Sequence, residues 1–289
     1  MAPAFRRNRQ MQQGKFMWTC EQLQVQPLTI YRRNEITCKY AYSPSADSLF
    51  VGDAGQDYAA ICVDKEDIVF VLCDGVSLSY RGDFGARFLG ERLLSWLCEE
   101  PAPSAEGLRC QLAEIADAAS QAIKELHIPT HLPQLLREVL EEKRSMGTEA
   151  MYICGRVRLP RPSAPGKLWL GWQGDARVRM WEHEGEIRLA ELTSFCTADR
   201  WSSREKSPQD DPYIAELPLS ANDPKSLLIY SDGFKALDSL NLPPMDQEVY
   251  AVLDAEMDRG LEDDASLLLL SWGRGMRPIV QEGAANTVK

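Results

Sequence analysis

Asp57, Asp74, Asp232 and the acidic triplet Glu262-Asp263-Asp264 are the residues of this chain best placed to do chemistry. Each sits at the end of a strand-like apolar run. The clearest is Ile68-Val69-Phe70-Val71-Leu72-Cys73, followed at once by Asp74-Gly75. An unbroken apolar run rich in β-branched residues reads as a strand buried on both faces. Asp74 therefore stands at the mouth of a buried strand, and Gly75 lets the backbone turn without a side chain in the way. Taken alone this is an Asp-Gly turn, but the pattern recurs. Leu227-Leu228-Ile229-Tyr230-Ser231-Asp232-Gly233 ends in the same way, Asp263 and Asp264 precede Leu267-Leu268-Leu269-Leu270, and Asp57 precedes Tyr58-Ala59-Ala60-Ile61-Cys62-Val63. A carboxylate held at a strand end is costly without a partner. Four such sites can converge at one sheet edge, and an oxygen-only set suits Mg²⁺ or Mn²⁺ rather than zinc.

Other chemistries find little support. The chain has three histidines, His127, His131 and His183, which argues against a His-rich metal site or a Ser/His/Asp triad. None of its eight cysteines forms a Cys-x-x-Cys pair, and Cys62, Cys73 and Cys154 lie inside apolar runs. They read as reduced core residues of a cytoplasmic protein, not as a disulfide framework. The balance of 32 Lys and Arg against 43 Asp and Glu gives a net charge of −11, which weighs against nucleic-acid or anionic-membrane partners. No apolar stretch approaches the roughly 20 residues of a transmembrane helix. Arg6, Arg7 and Arg9 are not followed by the apolar core of a secretory signal.

The elements that must position these carboxylates can be read along the chain of 289 residues. Residues 1 to about 17 are polar and basic, as in a disordered arm, and 18–45 carry one or two edge strands. Strands over 58–63 and 68–73 are joined by the polar turn Asp64-Lys65-Glu66-Asp67, and in that hairpin Asp57 and Asp74 become neighbours. Asp83 is placed to cap a helix running to about Glu99, with Phe84, Phe88, Leu89, Trp96 and Leu97 on its apolar side. Ser104 starts a second helix, whose apolar positions Leu108, Leu112, Ile115, Ala119, Ile123 and Leu126 step by three and four. A third spans about 132–144, with Pro133 in its first turn. Strands are expected over 150–159, 168–172 and 176–181, with a tight turn at Glu184-Gly185. Residues 194–224 read as a long irregular insertion, followed by strand 226–231, a helix around 246–258 and strand 265–272. This order is α+β with largely antiparallel sheets, not alternating βαβ units. It divides into an N-terminal extension over 1–45, partly disordered, a domain over 46–275 and a polar tail over 276–289.

Set side by side, the motifs are Gly55-Gln56-Asp57, Asp74-Gly75-Val76-Ser77, Gly147-Thr148-Glu149-Ala150, Gly174-Asp175-Ala176-Arg177, Ser231-Asp232-Gly233 and Asp263-Asp264-Ala265-Ser266. Their order and spacing resemble the PP2C-type (PPM) metal-dependent protein serine/threonine phosphatases, closest to the bacterial-style branch, over roughly residues 48–273. The resemblance implies a four-layer α-β-β-α sandwich, two mainly antiparallel sheets flanked by helices, with two Mg²⁺ or Mn²⁺ ions at one end. By motif, Asp74 bridges both ions, Gly75 offers its carbonyl to one, Asp232 and Asp263 complete the set, Asp57 acts mainly through metal-bound water, and Asp175 matches the position of a third, weaker ion. The implied activity is hydrolysis of phosphoserine or phosphothreonine on a protein, the substrate of a Ser/Thr kinase, by metal-activated water. Residues 194–224 fall where the family carries its variable flap. The chain also departs from the pattern: Gly52 stands where many members have a phosphate-gripping arginine, Val76 where a histidine follows Asp-Gly, and Gln56 where Glu is frequent. Arg81 is a candidate replacement for the arginine.

Two other readings compete with this one, the second of them disfavoured. The missing arginine fits a catalytically weak PP2C-like regulator that binds phosphoproteins without turnover. A carboxylate-pair hydrolase such as a glycosidase needs two acids of separated pKa, not a cluster.

Overall fold

A computed structural model describes residues 10–273 apart from 13, 66, 162–163, 183–184, 188–195, 197, 205–210, 221–224 and 258–261. The chain opens with four strands, β1 (Gln10–Gln12), β2 (Lys15–Thr19), β3 (Gln26–Arg33) and β4 (Ile36–Ser43), then a short helix α1 (Ala46–Val51). The hairpin of β5 (Asp57–Asp64) and β6 (Asp67–Gly75) leads into helices α2 (Gly82–Glu99), α3 (Ala105–Glu125) and α4 (Gln134–Met146). Then come β7 (Glu149–Arg158), β8 (Gly166–Gln173), β9 (Arg177–Glu182), β10 (Gly185–Ile187), β11 (Trp201–Ser202), β12 (Tyr213–Leu219) and β13 (Lys225–Tyr230). A 3-10 helix (Asp232–Ser239), α5 (Asp246–Met257) and β14 (Ala265–Trp272) complete the described chain.

The strands form two antiparallel sheets. One runs β1-β2-β5-β6-β7-β8-β12, with β11 added beside β7, and the other runs β10-β9-β13-β14-β4-β3. The two sheets pack where β14 meets β5. Helix α2 covers β5, β6 and β7, α3 lies beside it against β8 and β11, and α5 lies against β3 and the 3-10 helix on the far side, which gives the four-layer α+β sandwich. The central strands explain themselves. Seven of the eight residues of β5 and all but two of the nine of β6 are buried, as continuous apolar runs require. Helix α2 lies close on β5: a methyl group on Gly90 would stand 2.3 Å from the Tyr58 ring.

Several local expectations are corrected. Helix α2 starts after Arg81, in left-handed conformation (φ 54°, ψ 62°) with no side-chain cap, so Asp83 is a first-turn residue and not the cap. Its apolar face is smaller than expected, with Gly82, Gly85, Ala86 and Gly90 buried beside leucines. Phe84 and Phe88 are only partly buried and tilt against each other, 5.3 Å between ring centres. Pro133 precedes α4 rather than lying in its first turn. Ser104 does cap α3, accepting from Gly107 N at 3.1 Å.

The N-terminal stretch is more deeply involved than a partly disordered arm and edge strands. Residues 1–9 lie outside the described residues, but β1 and β2 form a hairpin that extends the first sheet, and β4 pairs with β14 over eight residues inside the second. A domain starting at residue 46 would leave β14 and β5 each without a neighbour, because β2 and β4 supply them. The tail 276–289 lies outside the described residues.

Residues 194–224 are not wholly irregular. β12 pairs with β8 from Tyr213 opposite Trp172 to Leu219 opposite Gly166, and β11 pairs with β7. Trp201 anchors the segment: it is 0% exposed and donates its indole N–H to Leu112 O at 3.1 Å on α3. Trp201→Ala is expected to lower the unfolding free energy by about 3–5 kcal/mol, the usual cost of emptying a large aromatic site. A urea melt with a change under about 1 kcal/mol would show that the anchor contributes little.

Candidate metal centre

The register of the β5–β6 hairpin sets Asp57 directly opposite Asp74, so both carboxylates project from one face at one end of the first sheet. The second sheet delivers its acids to the same end. Asp232 begins the 3-10 helix just after β13, and Asp263 and Asp264 immediately precede β14. Two hydrogen bonds fasten these ends together: Ser231 N donates to Ser266 O at 3.0 Å, and Ser266 N donates to Ser231 Oγ at 2.9 Å. Asp175 lies in the crossing from β8 in one sheet to β9 in the other.

Close backbone approach explains two of the motif glycines. A methyl on Gly75 would meet Gly82 O at 2.2 Å, and one on Gly233 would meet Asp264 O at 2.3 Å. Both are backbone contacts that cannot yield. Gly75 N also donates to Gln56 O at 3.1 Å, which ties the Asp74-Gly75 turn to the residue before Asp57.

The electrostatics is that of like charges sharing a small space. Asp74 is held well above the usual carboxylate range, first by burial and then by Asp232, Asp263, Asp175 and Asp264. Asp57, 2% exposed, is pushed up by burial, Asp74 and Asp264, and the Ser231 and Ser266 hydroxyls offset this only in part. Burial and Asp232 raise Asp175, with Arg177 opposing, and burial raises Asp263. The buried Asp57 Oδ2 has no hydrogen-bond partner. Among the described residues no three His, Cys, Asp or Glu side chains stand close enough to hold an ion as they are. The donor set itself fits a hard divalent cation: oxygen only, charged, one acceptor orphaned, and a backbone carbonyl on a residue without a side chain.

A protein phosphatase 2C family model matches residues 49–269. The chain belongs to the protein phosphatase 2C family. Solved structures share the fold at low identity. A serine/threonine phosphatase of S. agalactiae is 14% identical with a TM-score of 0.52, the match covering 81% of this chain and 98% of the other. The catalytic domain of the serine/threonine protein phosphatase PstP, in complex with two manganese ions, is 12% identical at 0.52, over 82% and 99%. RsbX in complex with magnesium is 11% identical at 0.52, over 85% and 100%. No curated protein sequence matches the chain.

Beside the carboxylates this family member carries a cleft of about 570 Å³ whose lining includes Asp53, Gln56, Ser77, Ser79, Arg81 and Asp83. Arg81 is thus near the centre, but its guanidinium is engaged: Nε and Nη2 each donate to an oxygen of Asp83 at 3.0 Å. The Asp83 hydrogen bond is the main cause of its raised pKa. Gly52, at the position of the absent arginine, closes α1 in left-handed conformation.

Two residues with structural roles at the site escaped sequence reasoning. Asp264, 4% exposed, accepts from Ser45 N at 2.5 Å and from Gln56 N, so it ties the end of β4 to the start of β5. Thr148, fully buried, donates to Arg81 O at 3.2 Å and holds the loop that presents Arg81. The Asp-Asp doublet and the Gly-Thr pair were visible as motifs, but their partners lie 208 and 67 residues away.

Proposed function

We propose that this protein is a metal-dependent phosphatase acting on phosphoserine and phosphothreonine of proteins. The observation that carries the reading is the convergence of Asp57 and Asp74 from one sheet with Asp232 and Asp263 from the other, in a chain of the 2C family. Asp74, Asp232, Asp263 and the Gly75 carbonyl would hold two Mg²⁺ or Mn²⁺ ions, with Asp175 toward a third. Such ions lower the pKa of a water and neutralise phosphoryl oxygens, which favours in-line displacement at phosphorus. Asp57, buried with an unpartnered oxygen, has an acceptor free for a hydrogen bond from a group bound within the site and would help to orient the attacking water. Asp83 holds Arg81 at the cleft, where a substrate phosphate competes for the guanidinium. The substrate of a Ser/Thr kinase is the natural partner of such a site. Free cysteines and an acidic chain suit the cytoplasm, and among the described residues no helix is long and apolar enough to cross a membrane.

Hydrolysis of p-nitrophenyl phosphate and of a phosphothreonine peptide is expected with Mn²⁺ and abolished by EDTA. Thiol alkylation is expected to spare most of the activity. Cys20, Cys38, Cys62, Cys73 and Cys154 are buried, burial pushes the Cys38 thiol up to about 12, and a thiol so protonated is a poor nucleophile. Full activity in EDTA would overturn the metal-dependent reading. Tight binding of the phosphopeptide with no turnover in Mn²⁺ would favour the phosphoprotein-binding regulator instead.

A further inference from the structure

The cleft beside the carboxylates exposes apolar groups that a phosphate alone does not need. Helix α1 buries none of its side chains. Phe50 is 91% exposed and Val51 63%, and both line the cleft. Leu78, 83% exposed, lies between the lining residues Ser77 and Ser79. Large apolar side chains held in water around one concave site mark a surface that another molecule covers.

Charge narrows the choice of that molecule. Asp47, Asp53 and Asp83 line the cleft against one cation, Arg81, and Asp83 already neutralises it. Asp47 and Asp53 have no ion-pair partner among the described residues, which leaves the cleft acidic. It also adjoins the reactive end of the fold. Gly82 and Gln56 line it, and a methyl on Gly82 would stand 3.1 Å from the carbonyl carbon of Gly75.

We propose that the cleft receives an extended segment of the phosphoprotein substrate that carries a basic and a large apolar side chain beside the phosphorylated residue. The basic group faces Asp47 and Asp53, and the apolar group seats on Phe50, Val51 and Leu78. This rests on the phosphatase reading and adds to it the class of sequence selected. An acidic flanking segment would meet uncompensated carboxylates and be disfavoured.

The test uses the full-length protein with Mn²⁺ and two fluorescein-labelled peptides of equal length, each carrying the non-hydrolysable phosphonate analogue of phosphothreonine. One has Arg and Leu beside the analogue, the other Glu and Gly. Anisotropy titration is expected to show the Arg/Leu peptide binding about tenfold or more tightly, one buried apolar group and an ion pair being enough for such a ratio. The double reversal Asp47→Lys with Asp53→Lys is expected to erase or invert the ratio, and Phe50→Ser to weaken the Arg/Leu peptide about tenfold. All three positions are exposed, so circular dichroism is expected to show folded variants. Equal affinities in the wild type, or a preference that survives both variants, overturns the proposal. Hydrolysis of p-nitrophenyl phosphate by the wild type reports separately on the phosphatase reading. A protein that shows the peptide preference but no turnover would lose that reading and keep the cleft assignment.

Discussion

Asp74→Asn is expected to lower kcat/KM for p-nitrophenyl phosphate by roughly a thousandfold or more at saturating Mn²⁺, while leaving the metal-free protein as stable as the wild type or more so. Asparagine keeps the shape and one acceptor oxygen but removes a full negative charge from the carboxylate proposed to be shared by two dications. With that charge gone, two bound dications would repel each other more strongly and bind less tightly, and the water activation they would supply would be lost with them. The stability argument runs the other way. Asp74 is raised above the ordinary carboxylate value by burial and by four neighbouring aspartates. The folded, metal-free protein therefore binds the proton more tightly than the unfolded chain, and ionising Asp74 costs stability above the raised value. That cost fades as pH falls through it, and Asn removes it at every pH. The two readings come from one preparation, as Mn²⁺-dependent turnover and as the melting temperature in EDTA. Near wild-type turnover would reduce Asp74 to the turn residue of a buried strand.

What the sequence disclosed depended on how local the causes were. The β5–β6 hairpin was legible because two apolar runs flank a polar turn, and its register alone pairs Asp57 with Asp74. Helix α3 was legible because Ser104 caps it and its apolar residues repeat every three or four. β12 was hidden by Pro218, which reads against a strand, yet β12 is an edge strand of its sheet, where one side goes unpaired and proline is tolerated. The start of α2 was misplaced because the left-handed turn at Arg81 is held from outside, by Thr148 Oγ1 on Arg81 O and by Gly147 O on Tyr80 N. No property of residues 80–83 announces those bonds. The 3-10 helix at Asp232–Ser239 is too short to show a period, and its middle residues Lys235 and Ala236 are exposed. At the site, the acidic positions were readable as strand ends, but the separate role of Asp264 was not.

That role gives the second large expected effect. Asp263 and Asp264 are adjacent and chemically identical, but Asp263 is exposed while Asp264 is 4% exposed and spends both oxygens on backbone N–H groups. Ser45 follows the end of β4 in one sheet and Gln56 precedes β5 in the other, so the carboxylate ties the two sheets at the end where the acids gather. Asp264→Ala leaves two donors without a partner, one of them fully in the interior, and each such loss costs on the order of 1–3 kcal/mol. Relief of repulsion on Asp57 and Asp74 offsets part of this. The net expectation is a loss of about 3 kcal/mol in the metal-free protein, a fall in melting temperature of about 6–12 °C. Asp264→Asn keeps one acceptor and turns an N–H₂ group toward the second donor, so it is expected to fall between wild type and Ala. Activity should fall in the same order, because the slackened Gln56 precedes Asp57 and also bonds the Gly75 turn. Urea unfolding of the three proteins in EDTA decides it: an Ala variant within about 0.5 kcal/mol of wild type would mean that the sheets hold this end together without Asp264.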